Sequence, residues 1–217
     1  MKKLVLLASA LMFAAASFAQ STSAQSSFFG NLKESKIGYQ GEVSLGFATG
    51  NSLTYKDSDG DSGTEKTDFS RPFIETVHGL RITQYGFVGL GLGLQYAYGN
   101  LANEFVDNKW DTLLMPIFVN FKGYYPIADE WSPYITLSLG GTPVLSSAWN
   151  HVDDSDEYKL NGGFYCKFGV GVNYKRYMFD FGLMHQTFKY NEFDGGHLDY
   201  WSTEKFNSFY FNIGIKF

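Results

Sequence analysis

Few residues in this chain have the types and spacing for chemistry. His185-Gln186-Thr187 puts an imidazole and a hydroxyl on one face of a strand, where a histidine can act as general base for a hydroxyl nucleophile. The hydroxyl is a hindered threonine, and Glu192 follows in an unconvincing order for a third partner. A second candidate is Asp57-Ser58-Asp59-Gly60-Asp61-Ser62-Gly63 with Glu65 and Asp68 beyond. Asp57, Asp59, Asp61 and Asp68 fall at positions 1, 3, 5 and 12 of a calcium loop. Position 6 is Ser62 instead of glycine, position 12 is aspartate instead of glutamate, and no helix flanks the segment. A solvated acidic hairpin tip is the expectation, with weak calcium binding as the alternative. Asp153, Asp154, Asp156 and Glu157 form another acidic run, read as solvated. The 4 histidines and Cys166 are too scattered to build a metal site. Cys166, alone, makes no internal disulfide and reads as a small apolar filler. The expectation is therefore no catalytic residue and no cofactor.

The elements that carry these residues are more legible. Lys2 and Lys3, the apolar run Leu4 to Ala16, and Ser17-Phe18-Ala19 make residues 1–19 a secretory signal peptide. Residues 20–36 are Ser/Thr/Gln-rich at first and read as a periplasmic lead-in. No run of about 20 apolar residues follows, which excludes a helical membrane protein. A net charge of -5 argues against nucleic acid as a partner.

Residues 37–217 show the period of β-strands. In Asn207 to Phe217, Phe209, Phe211, Ile213, Ile215 and Phe217 alternate with Ser208, Tyr210, Asn212, Gly214 and Lys216. Val88, Leu90, Leu92 and Leu94 likewise alternate with Gly89, Gly91, Gly93 and Gln95. Strands are expected from Ile37, then at 71–83, 87–98, 112–122, 131–140, 163–173, 178–189 and 207–217. Long loops are expected at 49–70, 99–110, 141–162 and 190–206, with short turns between. His78 beside Gly79 is expected to line a bulge, because the second strand loses its alternation there.

Eight strands of about ten residues, with connections alternately long and short, fit an all-β, antiparallel, up-and-down transmembrane β-barrel of the outer membrane. Both termini and the short turns then lie in the periplasm and the long loops outside the cell. A soluble lipocalin-type barrel would turn its bulky apolar face inward. Here the other face carries Gly-x-Gly runs and charges. Tyr85, Tyr124, Tyr125, Trp131, Tyr174 and Tyr177 flank the short turns and are expected to form an aromatic girdle.

The polar face then points into a lumen that side chains can fill. Glu42, Glu75, Arg81, Lys122, Lys167, Asp180 and Lys216 are expected to pair there, since unpaired charges would be costly. A sealed, salt-bridged plug is the main expectation. The alternative is a narrow pore gated by rearranging the pairing of Glu42 and Glu75 with Lys167.

The whole of this segment resembles the small eight-stranded outer-membrane barrels of the OmpX/OmpW-like group, and in flavour the barrels of Bacteroidetes. Thr76-Val77-His78-Gly79, a short turn and Gly89-Leu90-Gly91-Leu92-Gly93-Leu94-Gln95-Tyr96 carry that resemblance. It implies fold and membrane, and no catalytic residue. Some similar barrels are lipid A deacylases with a His-x-Ser arrangement facing lipid. That makes His185 and Thr187 the enzymatic alternative. Implied partners are outer-membrane lipid, lipopolysaccharide, the barrel-assembly machinery that reads the final strand, and an extracellular ligand of unknown identity.

Overall fold

An antiparallel sheet that closes on itself leaves its ring strands no open edge, and the chain closes in this way. The computed structural model describes residues 37–65, 68–100, 109–125, 127, 130–147, 152–153 and 156–217; the signal peptide and the lead-in lie outside them. Its strands are β1 (Gly38–Asp57), β2 (Ser62–Glu65), β3 (Asp68–Ile82), β4 (Gly86–Asn100), β5 (Lys109–Leu114) and β6 (Ile117–Tyr124). They continue with β7 (Trp131–Gly141), β8 (Val144–Ser147), β9 (Val152–Asp153), β10 (Asp156–Tyr174), β11 (Tyr177–Asp194) and β12 (His197–Lys216).

Eight of them form an antiparallel ring in chain order, β1-β3-β4-β6-β7-β10-β11-β12. Pairing of β12 with β1 closes it, in a register that runs from Glu42↔Lys216 through Phe47↔Phe211 to Asp57↔Ser202. Gly41 and Phe217 exchange two backbone hydrogen bonds of 2.8 Å at the lower end of this seam. β5 and β8 continue β6 and β7 beyond breaks at Pro116 and Pro143, where no backbone N–H exists to extend the ladder. The Met115 amide donates to the Pro143 carbonyl at 2.9 Å and holds the two broken strands together.

The apolar set points outward. Leu45, Phe47, Leu90, Ile135, Phe168, Phe181, Phe209 and Phe211 are all exposed, Leu90 to 70%. The inward set is buried and mixed, with Glu42, Glu75, Lys122, Lys167 and Asp180 beside Phe73, Phe118, Tyr165 and Tyr210. Inward glycines make room for those rings. A Cβ on Gly91 would overlap the Phe118 ring, and one on Gly169 would meet the Tyr210 hydroxyl and stand 2.6 Å from the Phe181 carbonyl oxygen.

Two features differ from the sequence expectation. Much of the expected long loops is strand: β1 runs to Asp57, β10 begins at Asp156, and β11 and β12 extend to Asp194 and from His197. The pairing shifts register at Gly50/Ser52 and at Gly162/Tyr165, so the alternation changes phase there and imitates a loop. Gly195 and Gly196, with φ of +52° and +85°, close the last hairpin in a two-residue turn that needs left-handed backbone. Residues 101–108 of the second expected loop lie outside the described residues. The second difference is at His78. The pairing of β3 with both neighbours is continuous there, Gly41↔His78↔Leu90, so no bulge forms. His78 instead faces outward, 2.5 Å from the Tyr39 hydroxyl and 2.9 Å from Thr76 Oγ1. The second strand loses its alternation because Phe73 and Val77 are inward apolar residues.

Replacing Gly169 with valine should overpack the lumen and lower stability by about 1–3 kcal/mol, read as a lower urea midpoint of the refolded barrel. An unchanged midpoint would contradict this packing.

Candidate functional site in the barrel lumen

Inward positions on successive strands meet across a narrow interior, so each charge must find its partner from another strand. Near the short-turn end, Glu42 on β1 receives both oxygens' worth of donors. Gln40 Nε2 donates at 2.7 Å, and Lys122 Nζ from β6 at 2.5 Å. The Lys122 ammonium also stands 4.9 Å from the Tyr134 ring centroid. Arg81 donates to Gln40 Oε1 at 3.3 Å and to the Gln84 carbonyl at 3.1 Å, and lies over Tyr124 at 4.5 Å. Asp180 accepts from the Tyr134 hydroxyl at 2.9 Å and from Asn212 Nδ2 at 3.1 Å. Lys216, half-buried, sits opposite Glu42 in the seam.

A second layer centres on Glu75. It accepts from the Tyr165 hydroxyl at 2.8 Å and forms an ion pair with Lys167. Lys167 is enclosed by Phe73, Phe118 and Tyr210, with ring centroids 5.2, 5.8 and 5.2 Å away. The negative faces of these rings favour the cation. Four of the seven expected lumen charges therefore form two separate pairs, Glu42 with Lys122 and Glu75 with Lys167, while Arg81 and Asp180 meet neutral partners.

Above them lies a layer that the strand period does not reveal. Arg71 is fully buried, hydrogen-bonds Ser208 and lies 5.0 Å from the Phe69 ring centroid. Its Nε and Nη1 have no hydrogen-bond partner among the described residues. Gln186 donates to Gln95 Oε1 at 2.9 Å and to Thr142 Oγ1 at 3.1 Å. An apolar cluster of Leu53, Phe69, Ala97, Leu114, Leu160, Phe188 and Phe206, each from a different strand, then crosses the interior. Phase-shifted alternation hides Leu53 and Leu160, and Arg71 stands at the start of the expected second strand.

The girdle needs one correction. Tyr85, Tyr125, Trp131 and Tyr177 are exposed, and Trp131 stacks on Tyr174 at 4.6 Å. Tyr124 points inward instead, only 5% exposed and 5.6 Å from the Tyr134 ring. Asn120 and Lys122 on the same strand face give the signal that was overlooked. Beside this rim Glu130 pairs with Lys175 at 3.2 Å and holds its ammonium above the ordinary range.

The candidates for chemistry are not assembled into sites. His185 Nδ1 is 2.8 Å from Asn207 Oδ1, and Thr187 Oγ1 accepts from the Phe164 amide at 2.8 Å. At the first hairpin tip Asp57 Oδ1 accepts from the amides of Asp59 and Asp61, at 3.2 and 2.9 Å, and so braces the turn. Asp59 and Asp61 are exposed at that tip, and Asp68 lies in β3, facing Asn100 in the ladder. Among the described residues no three metal-ligating side chains come together.

No protein-family model matches the chain, and no curated protein matches it. Solved structures do. The outer membrane protein OprG from Pseudomonas aeruginosa aligns at TM-score 0.58 with 13% identity, over 85% of this chain and 97% of that one. Neisserial surface protein A aligns at TM-score 0.33 with 13% identity, over 84% and 99%. The P. putida toluene transporter TodX aligns at TM-score 0.19 with 10% identity, over 83% and 90%. The likeness to OprG shows a common fold.

Removing one partner of a buried ion pair strands the other charge. Lys167→Met should cost about 3–5 kcal/mol of unfolding free energy, and Glu75→Gln on top of it should recover much of that loss. Simple additivity in the double-mutant cycle would contradict the pairing.

Proposed function

We propose that this chain is an integral outer-membrane β-barrel with a side-chain-filled lumen and a structural or surface-interaction role. One observation carries the reading: bulky apolar residues are exposed all round the ring while paired charges and rings occupy its middle. An exposed apolar belt of that size has no aqueous explanation, and acyl chains satisfy it. In this reading both termini and the short turns face the periplasm, and the extended hairpins stand outside the cell. The OmpX/OmpW-like, Bacteroidetes-type kinship belongs to the same reading, supported by chain-order topology and the hairpin around Thr76 to Tyr96.

The lumen argues for a plug. The Glu42–Lys122 and Glu75–Lys167 pairs lie under an apolar cluster. An ion crossing would have to break both pairs and shed its water among phenylalanines. The partners of this reading are membrane lipid, lipopolysaccharide, the assembly machinery acting on Phe209 to Phe217, and an extracellular ligand met by the acidic hairpins. The hydrolase alternative has less support, because the Thr187 hydroxyl is bound to a backbone amide and His185 to Asn207.

Three measurements test this. Membrane fractionation with a heat-modifiability gel should place the chain in the outer membrane as a compact species that slows on boiling. Planar-bilayer recordings of the purified barrel should show no sustained conductance; reproducible open steps would overturn the plug and select the gated pore. Overexpression should leave the lipid A mass spectrum unchanged, and loss of an acyl chain would select the hydrolase.

A further inference from the structure

Outward residues of β1, β12 and β11 change character in three successive cross-strand rows. Below them the rows are Thr49↔Phe209↔Leu183 and Phe47↔Phe211↔Phe181. The first row above is Ser52↔Asn207↔His185, the second Thr54↔Lys205↔Thr187, and the third Lys56↔Thr203↔Lys189. With strands about 4.8 Å apart, Lys56 and Lys189 start about 10 Å from each other, with Lys205 between them one row lower. Three flexible ammonium groups are thus brought within reach of one small anion.

Among the described side chains none of Lys56, Lys189 and Lys205 is ion-paired, although Lys189 lies over the Trp201 ring at 5.5 Å, whereas Lys159 on β10 is paired with Glu157 at 2.8 Å. Glu204, next to Lys205, points into the lumen, and Asp57, next to Lys56, braces its own turn. The chain as a whole is acidic, with a net charge of -5, so a basic patch is not its background. Across the ring, Tyr96, Tyr98 and Asp111 are exposed outward residues above the belt.

We propose that this face binds the phosphate of a phosphorylated glycolipid in the surrounding membrane, with Lys56, Lys189 and Lys205 as the cationic clamp. Thr203 stands between Lys56 and Lys189, and Thr54 beside Lys205, as hydrogen-bonding groups. Continuity with the apolar belt selects a lipid over free phosphate. An acyl chain lies along Phe209 and Leu183 while its headgroup meets the ammonium groups, so one ligand satisfies both surfaces. Lysine suits this task because a phosphate that slides with the membrane is held by point charges without fixed bidentate geometry. The inference rests on the reading of the chain as a membrane barrel, and adds the ligand and the residues that take it.

The test is native mass spectrometry of the full folded barrel in detergent micelles. The probes are diphosphorylated lipid A, the same lipid with its phosphates removed, and inorganic phosphate. The wild-type barrel should retain diphosphorylated lipid A, and K56Q/K189Q/K205Q should bind it about ten-fold more weakly. The dephosphorylated lipid should not distinguish the two proteins. Lys175→Gln, in a short turn at the other end, should bind like wild type. Should the triple variant fail to fold, the single variant Lys205→Gln and the salt dependence of wild-type binding take its place, since phosphate contacts weaken as salt rises. Equal binding by wild type and the lysine variants, salt-independent binding, or equal retention of both lipids by the wild type would overturn the proposal. Equal displacement by inorganic phosphate would overturn the choice of a lipid. Detergent binding does not depend on location in the cell, so a negative result here leaves the fractionation result standing.

Discussion

Closure of β12 onto β1 is the constraint on which the rest depends. Once the ladder from Glu42↔Lys216 to Asp57↔Ser202 is made, each of the eight ring strands has a partner on both sides. Every inward side chain then shares a channel only wide enough for side chains themselves. Space and charge become joint problems. Glycines at 91 and 169 admit Phe118 and Tyr210, and those rings in turn bound the volume in which Lys167 must find Glu75. A ring of this size is a device for holding its own contents.

The interior is stratified. Paired charges and their hydrogen-bonding tyrosines occupy the end near the short turns, an amide layer of Gln95 and Gln186 lies above, and the apolar cluster around Phe188 and Phe206 closes the hairpin end. Arg71 is the exception, a buried cation with one serine and one ring for company. Its Nε and Nη1 are buried without a hydrogen-bond partner among the described residues, a cost that the rest of the plug must offset.

Much of this was legible from period alone. The strict alternation of Phe209 to Phe217 and of Val88 to Gln95 placed bulky residues outside and small or polar ones inside, and the seven expected lumen charges do sit on the inner face or its rim. What period could not reveal were its own interruptions. A bulge at Gly50/Ser52 moves Leu53 inward, and one at Gly162/Tyr165 does the same for Leu160, so extended hairpins looked like loops. Partner choice was also hidden, because it depends on how far the strands are staggered around the ring. Glu42 meets Lys122 from a strand 80 residues away, a consequence of closure and not of local pattern. Tyr124 was misplaced by its aromatic neighbour Tyr125, although its parity with Lys122 pointed inward.

Accessibility of single spin labels in lipid bilayers measures the central arrangement most directly. In a Cys166→Ser background, labels at Ile135→Cys and Phe211→Cys should be relaxed by lipid-soluble oxygen and not by a water-soluble nickel chelate. A label at Ser138→Cys should be shielded from oxygen. Outward positions that meet the chelate, or are reached by neither agent, would contradict a belt in contact with acyl chains around a packed interior.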